Sequence, residues 1–199
     1  LAYGSEQAVA FADNSMEAIS YYAIEASSEL AAERGAYSTY QGSLWSQGIF
    51  PIDSLQRLID ERGADYIQVD QSESMDWPTL RAQVLQHGMR NSNVMAIAPT
   101  ATIASISGCF ECIEPQVSNL FKRETLSGEF MQINRYLVRE LQQRGLWNET
   151  MANRVKTEEG SIQDVEGMPD DLKDVYRTAW EVPMRSLIDM AAARAERDR

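Results

Sequence analysis

The feature that most limits how this chain can fold is the segment 94–104, Val-Met-Ala-Ile-Ala-Pro-Thr-Ala-Thr-Ile-Ala. Its first five residues are all apolar, and a short uninterrupted run of this kind predicts a buried strand over 94–98. Pro99 ends that strand, because proline has no N–H to donate to a neighbouring strand. In α/β sheets and barrels, ligands gather at the end where such a strand stops.

The turn after the predicted strand is the candidate binding site. It consists of Pro99, Thr100, Ala101, Thr102 and Ile103. Such a turn can direct successive backbone N–H groups and two threonine hydroxyls at an anion. It has neither a glycine-rich cradle nor a lysine, so it is not a Walker loop. The residues alone leave two interpretations open: a phosphate site, or an ordinary transition from strand to loop.

The charge of the chain narrows the classes of partner. Its 18 basic and 30 acidic residues give a net charge of −12, which argues against binding to a nucleic-acid backbone. An anion site must therefore be local and built largely from backbone amides. No apolar run approaches the roughly 18 residues of a membrane span, so we expect no membrane insertion. A chain of 199 residues is expected to form one domain.

The two cysteines, Cys109 and Cys112, form a C-x-x-C pair. One such pair is too small for a tetrahedral zinc site, and the single histidine, His87, is distant in sequence. We therefore predict no metal site. The pair is either a redox dithiol or two ordinary loop cysteines. The scarcity of cysteine is consistent with a reducing cytoplasm.

Apolar spacing and capping residues predict a mainly α-helical chain with a few short strands. The first predicted helix has one apolar face and ends at Gly35; Asn14-Ser15 either starts a second helix or lies within one long helix. That face consists of Met16, Ile19, Ala23, Ala26 and Leu30. Residues 36–50 and 105–126 are expected to be irregular.

The other predicted helices begin at a capping residue or a proline. They run from Asp53 to Gly63, from Asp76-Pro78 to Gly88, from Ser127 to Gly145, from Asn148 to near Gly160, from Pro169 to Pro183, and from there toward Arg199. The third is expected to bury Leu80, Val84 and Leu85, and the fourth Ile133, Leu137, Val138 and Leu141.

Several motifs occur in a specific order along the chain. They are H-G-M-R-N-S-N at 87–93, A-I-A-P-T-A-T-I at 96–103, I-E-P at 113–115, S-N-L-F at 118–121 and S-G-E-F at 127–130. This series resembles the large (alpha) subunit of class I ribonucleotide reductase, the ribonucleoside-diphosphate reductases. Residues 28–35, 40–43 and 169–194 also resemble that family, so the similarity extends along nearly the whole chain.

The resemblance implies a fold, a reaction and partners. The fold would be a ten-stranded α/β barrel, to which residues 1–199 contribute one partial domain. The reaction would replace the ribose 2′-hydroxyl by hydrogen through a thiyl radical, with residues 99–103 holding the diphosphate of a ribonucleoside diphosphate. The metal–radical cofactor would lie on a separate small (beta) subunit, with no cofactor in this chain. We also expect a homo-oligomer in the cytoplasm.

The chain lacks the family motifs that carry the radical chemistry. The radical cysteine with its asparagine and glutamate companions, the radical-path tyrosines and the tail cysteines are not found. The chain also begins at Leu1 and ends on a charged run, so we expect a C-terminal-half fragment of the barrel that is inactive by itself and has no catalytic residue. Two alternatives are a fragment of an adenosylcobalamin-dependent class II reductase and a non-catalytic helical interaction module.

Two side chains near these motifs have more than one interpretation. His87 is either a general acid or base, or a residue that suits the negative end of a helix dipole. Glu114, before Pro115, either contributes a carboxylate near the site or stabilises the loop.

Overall fold

The computed structural model describes residues 1–66, 72–125 and 128–195. Within those ranges it is mainly helical, which confirms the prediction, with one small antiparallel sheet. The helices are α1 (Glu6–Arg34), α2 (Asp53–Arg62), α3 (Trp77–His87), α4 (Ala101–Ser107), α5 (Arg135–Gln143), α6 (Glu149–Thr157), α7 (Asp170–Val175) and α8 (Met184–Ala195). The strands are β1 (Leu120–Thr125) and β2 (Gly128–Ile133).

Helix boundaries follow the local capping signals. The Asp76 side chain accepts a hydrogen bond from the Thr79 N–H at the start of α3, and the Asn148 side chain accepts one from the Met151 N–H in α6. Both act as N-caps, because a side-chain oxygen satisfies an N–H that the helix itself leaves open. Gly88 follows the last residue of α3, as predicted.

Helix α1 is one continuous helix, which settles the question left open at Asn14-Ser15. Its predicted buried face is wrong: Ile19 is 55% exposed, whereas Tyr21 and Ile24 are buried. The buried face also carries polar residues, including Glu17. Apolar spacing alone could not identify this face, because the groups that satisfy the polar residues come from distant parts of the chain.

Glu17 is only 1% exposed and accepts four hydrogen bonds. They come from the Ser74 N–H (2.8 Å), the Ser74 hydroxyl (2.5 Å), the Met75 N–H (3.2 Å) and the Trp77 indole N–H (2.8 Å). Burial alone raises the pKa of Glu17, but the hydrogen bonds from Ser74, Trp77 and Met75 outweigh it, so the pKa lies below its ordinary value of 4.5. The carboxylate thus fixes the segment before α3 against α1.

We predict that Glu17→Gln lowers the free energy of unfolding by about 1–3 kcal/mol at neutral pH, because an amide NH₂ cannot accept a hydrogen bond. Because the folded-state pKa is depressed, the stability due to the charge is present above about pH 4.5 and is lost as the pH falls through the folded value. Urea unfolding over about four pH units, from pH 7 down to about pH 3, measures this dependence. A Gln variant that loses stability in acid as steeply as the parent would contradict it.

The chain divides into two compact units, and each is described by itself. One comprises residues 9–99 and the residues from 188 onward. Its core is a cluster rich in aromatic side chains: Tyr21, Ile24, Tyr40, Phe50, Trp77, Leu80, Val84 and Met89. The Trp77 ring meets Tyr21 and Phe50 edge to face, with ring centroids 5.4 and 6.1 Å apart. Leu85, predicted to be buried, is instead 51% exposed.

The predicted strand over 94–98 is not formed: these residues have no strand assignment, and Ile97 is exposed. The reason is that this segment has no partner strand among the described residues. A strand needs a neighbouring strand to receive its hydrogen bonds, and in the part of the chain that the structure describes the strand pairing is β1 with β2 alone. Val94 packs partly buried against the aromatic cluster.

The other unit comprises residues 1–8 and 100–187. Its core is formed by helices α5 to α7 and the loops that join them: Leu137, Leu141, Met151, Val155, Ile162, Val165, Met168 and Leu172. The β1–β2 hairpin pairs Leu120 with Ile133 and Thr125 with Gly128.

The prediction of a helix from Ser127 is corrected here. Ser127 itself lies outside the described residues, and residues 128–133 form β2 rather than helix. Asn134 caps α5 instead, because its side chain accepts hydrogen bonds from the Tyr136 and Leu137 N–H groups. Ile133 is consequently exposed, whereas Leu137 and Leu141 are buried as predicted. Residues 105–126, predicted to be irregular, include the last three residues of α4 and all of β1.

Two buried asparagines join the hairpin to the helices of this unit. The Asn134 amide donates to Asn119 Oδ1 (3.0 Å), and the Asn119 amide donates to the carbonyls of Gly160 (3.1 Å) and Tyr176 (2.9 Å). Because buried polar groups are costly when left unpaired, this network fixes where β1 begins and where β2 ends. No described helix is long and apolar enough to cross a bilayer.

Candidate functional site

Helix α4 begins within the segment that the sequence singled out. Thr100 is its N-cap residue, and Ala101, Thr102 and Ile103 are its first three residues. Pro99, the residue before the cap, is exposed. Four of the five candidate residues therefore form the N-terminal turn of a short helix, rather than a turn that follows a strand.

The N–H groups of this turn are available to a ligand. The first N–H groups of any α-helix have no partner within the helix, and no side chain caps α4. The Thr100 hydroxyl points elsewhere, since its oxygen accepts the Cys112 N–H at 3.0 Å. Ala101, Thr102 and Ile103 are all exposed. The helix N-terminus thus presents unpaired donors at the positive end of the helix dipole.

The charges around α4 suit an anion. The net charge of the chain is −12, yet the first turn of α4 carries no acidic residue. Two arginines hold the rest of the helix: Arg123 of β1 donates to the Ser105 hydroxyl at 2.8 Å, and Arg135 of α5 donates to the Gly108 carbonyl. The Ser105 hydroxyl in turn donates to the Ala101 carbonyl at 3.0 Å.

The segment after α4 folds back onto the helix. The N–H groups of Gly108 and Cys109 both donate to the carbonyl of Ala104, which is buried. Phe110 meets the Tyr136 ring edge to face, with centroids 5.7 Å apart. Together with the bond from Cys112 to Thr100, these contacts hold the loop along the full length of α4.

The remaining candidate residues lie in different places. Cys109 and Cys112 are exposed free cysteines, and Glu114 is exposed. His87 is the last residue of α3 and, with Glu29 of α1, lines an open groove of about 460 Å³. Among the described residues there is no cluster of three or more His, Cys, Asp or Glu that could hold a metal ion.

The sequence did not identify the two arginines that hold α4. Arg135 directly follows the N-cap Asn134, so a correct start for α5 would have placed it at an exposed helix end. No local pattern identifies Arg123, because its partner Ser105 lies 18 residues away.

The protein-family model of the ribonucleotide reductase barrel domain matches residues 1–196 of this chain. The chain belongs to the ribonucleotide reductase family. The ribonucleoside-diphosphate reductase subunit alpha of Chlamydia muridarum is 45% identical over 194 residues, which cover 98% of this chain and 18% of that protein. The large subunit of Caenorhabditis elegans is 44% identical over 178 residues, covering 89% and 21% respectively. The chain therefore spans about a fifth of the length of these relatives.

A solved structure shows the same fold. The class Id ribonucleotide reductase alpha subunit of Actinobacillus ureae superimposes with a TM-score of 0.66, covering 100% of this chain and 28% of that one. The sequences are 22% identical in this comparison, so it supports the fold alone. The family membership and this fold agree with the barrel that the motifs suggested.

Proposed function

We propose that this chain holds the diphosphate of a ribonucleoside diphosphate in the large subunit of a ribonucleotide reductase. The donors are the backbone N–H groups of Ala101, Thr102 and Ile103 in the first turn of α4. The observation that carries the proposal is that these three residues are exposed and no side chain caps the helix, whose first turn has no acid. A diphosphate carries several negative charges, and such a helix end can bind it without long basic side chains.

The names of the relatives indicate the substrate class. Both the Chlamydia muridarum and the Caenorhabditis elegans proteins are called ribonucleoside-diphosphate reductases. In the complete enzyme, holding the phosphates fixes the ribose relative to the reacting thiyl sulfur, and orientation of this kind contributes strongly to rate. We propose that the radical originates at a metal cofactor on a separate small subunit, and that the substrate site of this chain acts with it in the cytoplasm.

If the backbone N–H groups bind the phosphates, the Thr102 hydroxyl should contribute much less to binding than the Thr102 N–H. Thr102→Ala keeps the backbone N–H, so it should weaken the binding of a ribonucleoside diphosphate by about 0.5–1.5 kcal/mol, the contribution of one net hydrogen bond. Thr102→Pro removes that N–H and should weaken binding far more. Proline is tolerated in the first turn of a helix better than further along, so most of α4 should remain folded.

The measurement is calorimetric titration of a complete large subunit that carries residues 1–199 in place of its own matching segment. Ser107→Ala, at the other end of α4, is the matched control and should leave the affinity unchanged. Equal binding by the parent and Thr102→Pro would show that this turn does not hold the phosphates. A loss in Thr102→Ala as large as that in Thr102→Pro would show that the hydroxyl, not the backbone, is the main donor.

A further inference from the structure

The C-x-x-C segment lies against the proposed phosphate turn and has no part in the function proposed above. The two cysteines of the chain, Cys109 and Cys112, occur in this one loop, and both are exposed with free thiols. Exposure matters because thiol–disulfide exchange requires access to the sulfur.

Three contacts hold the loop, and both cysteines are exposed in it. The Cys109 N–H donates to the Ala104 carbonyl at 3.1 Å, and the Cys112 N–H donates to Thr100 Oγ1 at 3.0 Å. Between the two cysteines, Phe110 packs on the Tyr136 ring. The loop is therefore attached to α4 and α5 through its backbone and its aromatic residue, and both cysteines remain exposed although the Cys109 thiol also donates to the Ala104 carbonyl at 3.8 Å.

The anchors attach the two cysteines at different ends of α4. Thr100 and Ala104 are four residues apart, which corresponds to roughly 6 Å along the axis of α4. Only two residues separate the cysteines, so release of one anchor lets their Cα atoms reach the separation of about 4.4–6.8 Å that a disulfide requires. Cys112 has a φ of 65°, a left-handed conformation that turns the chain back after Glu111.

We propose that Cys109 and Cys112 are a redox-modification site that closes into an intramolecular disulfide in the presence of a low-molecular-weight disulfide. The thiolate of one cysteine attacks that disulfide, forms a mixed disulfide and releases one small thiol. The second cysteine then attacks the protein sulfur and releases the other small thiol. Two protein thiols are oxidised, one small disulfide is reduced, and the two protons leave with the small thiols.

Closure of the disulfide acts on the phosphate turn through Thr100, a consequence that rests on the function proposed above. Cys109 is held at Ala104, so formation of the bond draws Cys112 toward that end of α4 and away from Thr100. The Cys112 N–H then no longer holds the Thr100 hydroxyl. Thr100 is the N-cap residue of α4, directly before the first turn. We expect the oxidised form to bind a ribonucleoside diphosphate several-fold more weakly than the reduced form.

Formation of the disulfide is tested on the 199-residue chain, which is equilibrated with reduced and oxidised glutathione over a series of ratios. Mass spectrometry should find the loss of two hydrogens in the peptide that contains both cysteines, reversed by dithiothreitol. Cys109→Ser and Cys112→Ser should each stop at the mixed disulfide with glutathione. A parent chain that accumulates the mixed disulfide like these variants, or stays reduced at every ratio, would overturn the proposal.

The effect of the disulfide on substrate binding is tested separately in the complete large subunit that carries this segment. Binding of a ribonucleoside diphosphate is compared before and after oxidation, with the double variant Cys109→Ser, Cys112→Ser as a control for other thiols. Weaker binding after oxidation in the parent alone supports the coupling. Equal binding by both forms overturns the coupling and leaves the phosphate site intact. If neither form binds, the proposed function fails, while the mass result still decides whether the disulfide forms.

Discussion

Replacing Gly160 with alanine should unfold or severely destabilise the unit that contains the hairpin. A Cβ at this position would lie 1.9 Å from Ser118 Oγ and 2.6 Å from the Leu120 backbone nitrogen. The serine hydroxyl can move, but the backbone of β1 cannot move without breaking the Asn119 network. Gly160 also has a φ of +88°, which alanine adopts only at a cost. We expect the free energy of unfolding to fall by about 2–5 kcal/mol.

Gly145→Ala is the matched control for this prediction. Gly145 has a φ of +67°, but a Cβ there meets no atom within 4 Å. The control therefore reports the cost of the left-handed backbone alone, about 1–2 kcal/mol. Urea unfolding followed by circular dichroism gives both values. Equal losses in the two variants would mean that the close approach between Gly160 and β1 contributes nothing to stability.

Replacing Thr102 with glutamate should nearly abolish the binding of a ribonucleoside diphosphate while α4 stays intact. An acidic side chain in the first turn of a helix interacts favourably with the helix dipole, so the variant should fold at least as well as the parent. The same carboxylate would lie beside the phosphates, where like charges about 4 Å apart repel by several kcal/mol at an effective dielectric constant near 20. We expect the affinity to fall by about 100-fold or more.

The control is Ser107→Glu, which adds the same charge at the other end of α4. The two positions are five residues apart, or roughly 7.5 Å along the helix axis. Because Ser107 is also exposed, that variant should change the affinity only slightly and lose more of its effect in high salt. Tight binding by Thr102→Glu, measured by calorimetry in the complete subunit, would exclude the first turn of α4 as the phosphate site.

Local signals predicted the helices well because the groups that decide a helix end lie within a few residues of it. Asp76, Asn148 and the glycines after α2 and α3 illustrate this: each cap contacts its own helix. The same local logic failed for β2, where apolar spacing extended a helix backwards over residues 128–133. The pairing of that segment with β1 depends on matching two strands with each other.

The prediction of which face of α1 is buried failed for a related reason. The apolar residues that include Met16 and Ile19 have helical spacing, but the face that is buried is rotated by one residue, about 100°, and contains Glu17. A glutamate is buried when enough donors converge on it, and those donors come from 57 to 60 residues further along the chain. Periodicity carries no information about partners at that distance.

The sequence singled out the candidate segment but did not predict its local structure. The sequence identified residues 99–103 as a candidate anion site, and α4 begins among them, but the strand that was expected before it is not formed. Its apolar residues suit a strand, yet a strand also requires a neighbour with free backbone groups. The roles of Arg123 and Arg135 in holding α4 depend on contacts across 18 and 27 residues, which no motif encodes.

The most direct test is a structure of the complete large subunit, carrying residues 1–199 of this chain, with a ribonucleoside diphosphate bound. We expect phosphate oxygens within hydrogen-bond distance, about 2.7–3.2 Å, of the backbone nitrogens of Ala101, Thr102 and Ile103. We also expect Arg123 and Arg135 to remain on α4 rather than turn to the phosphates. A diphosphate bound elsewhere, with the first turn of α4 facing only solvent, would contradict the proposed function.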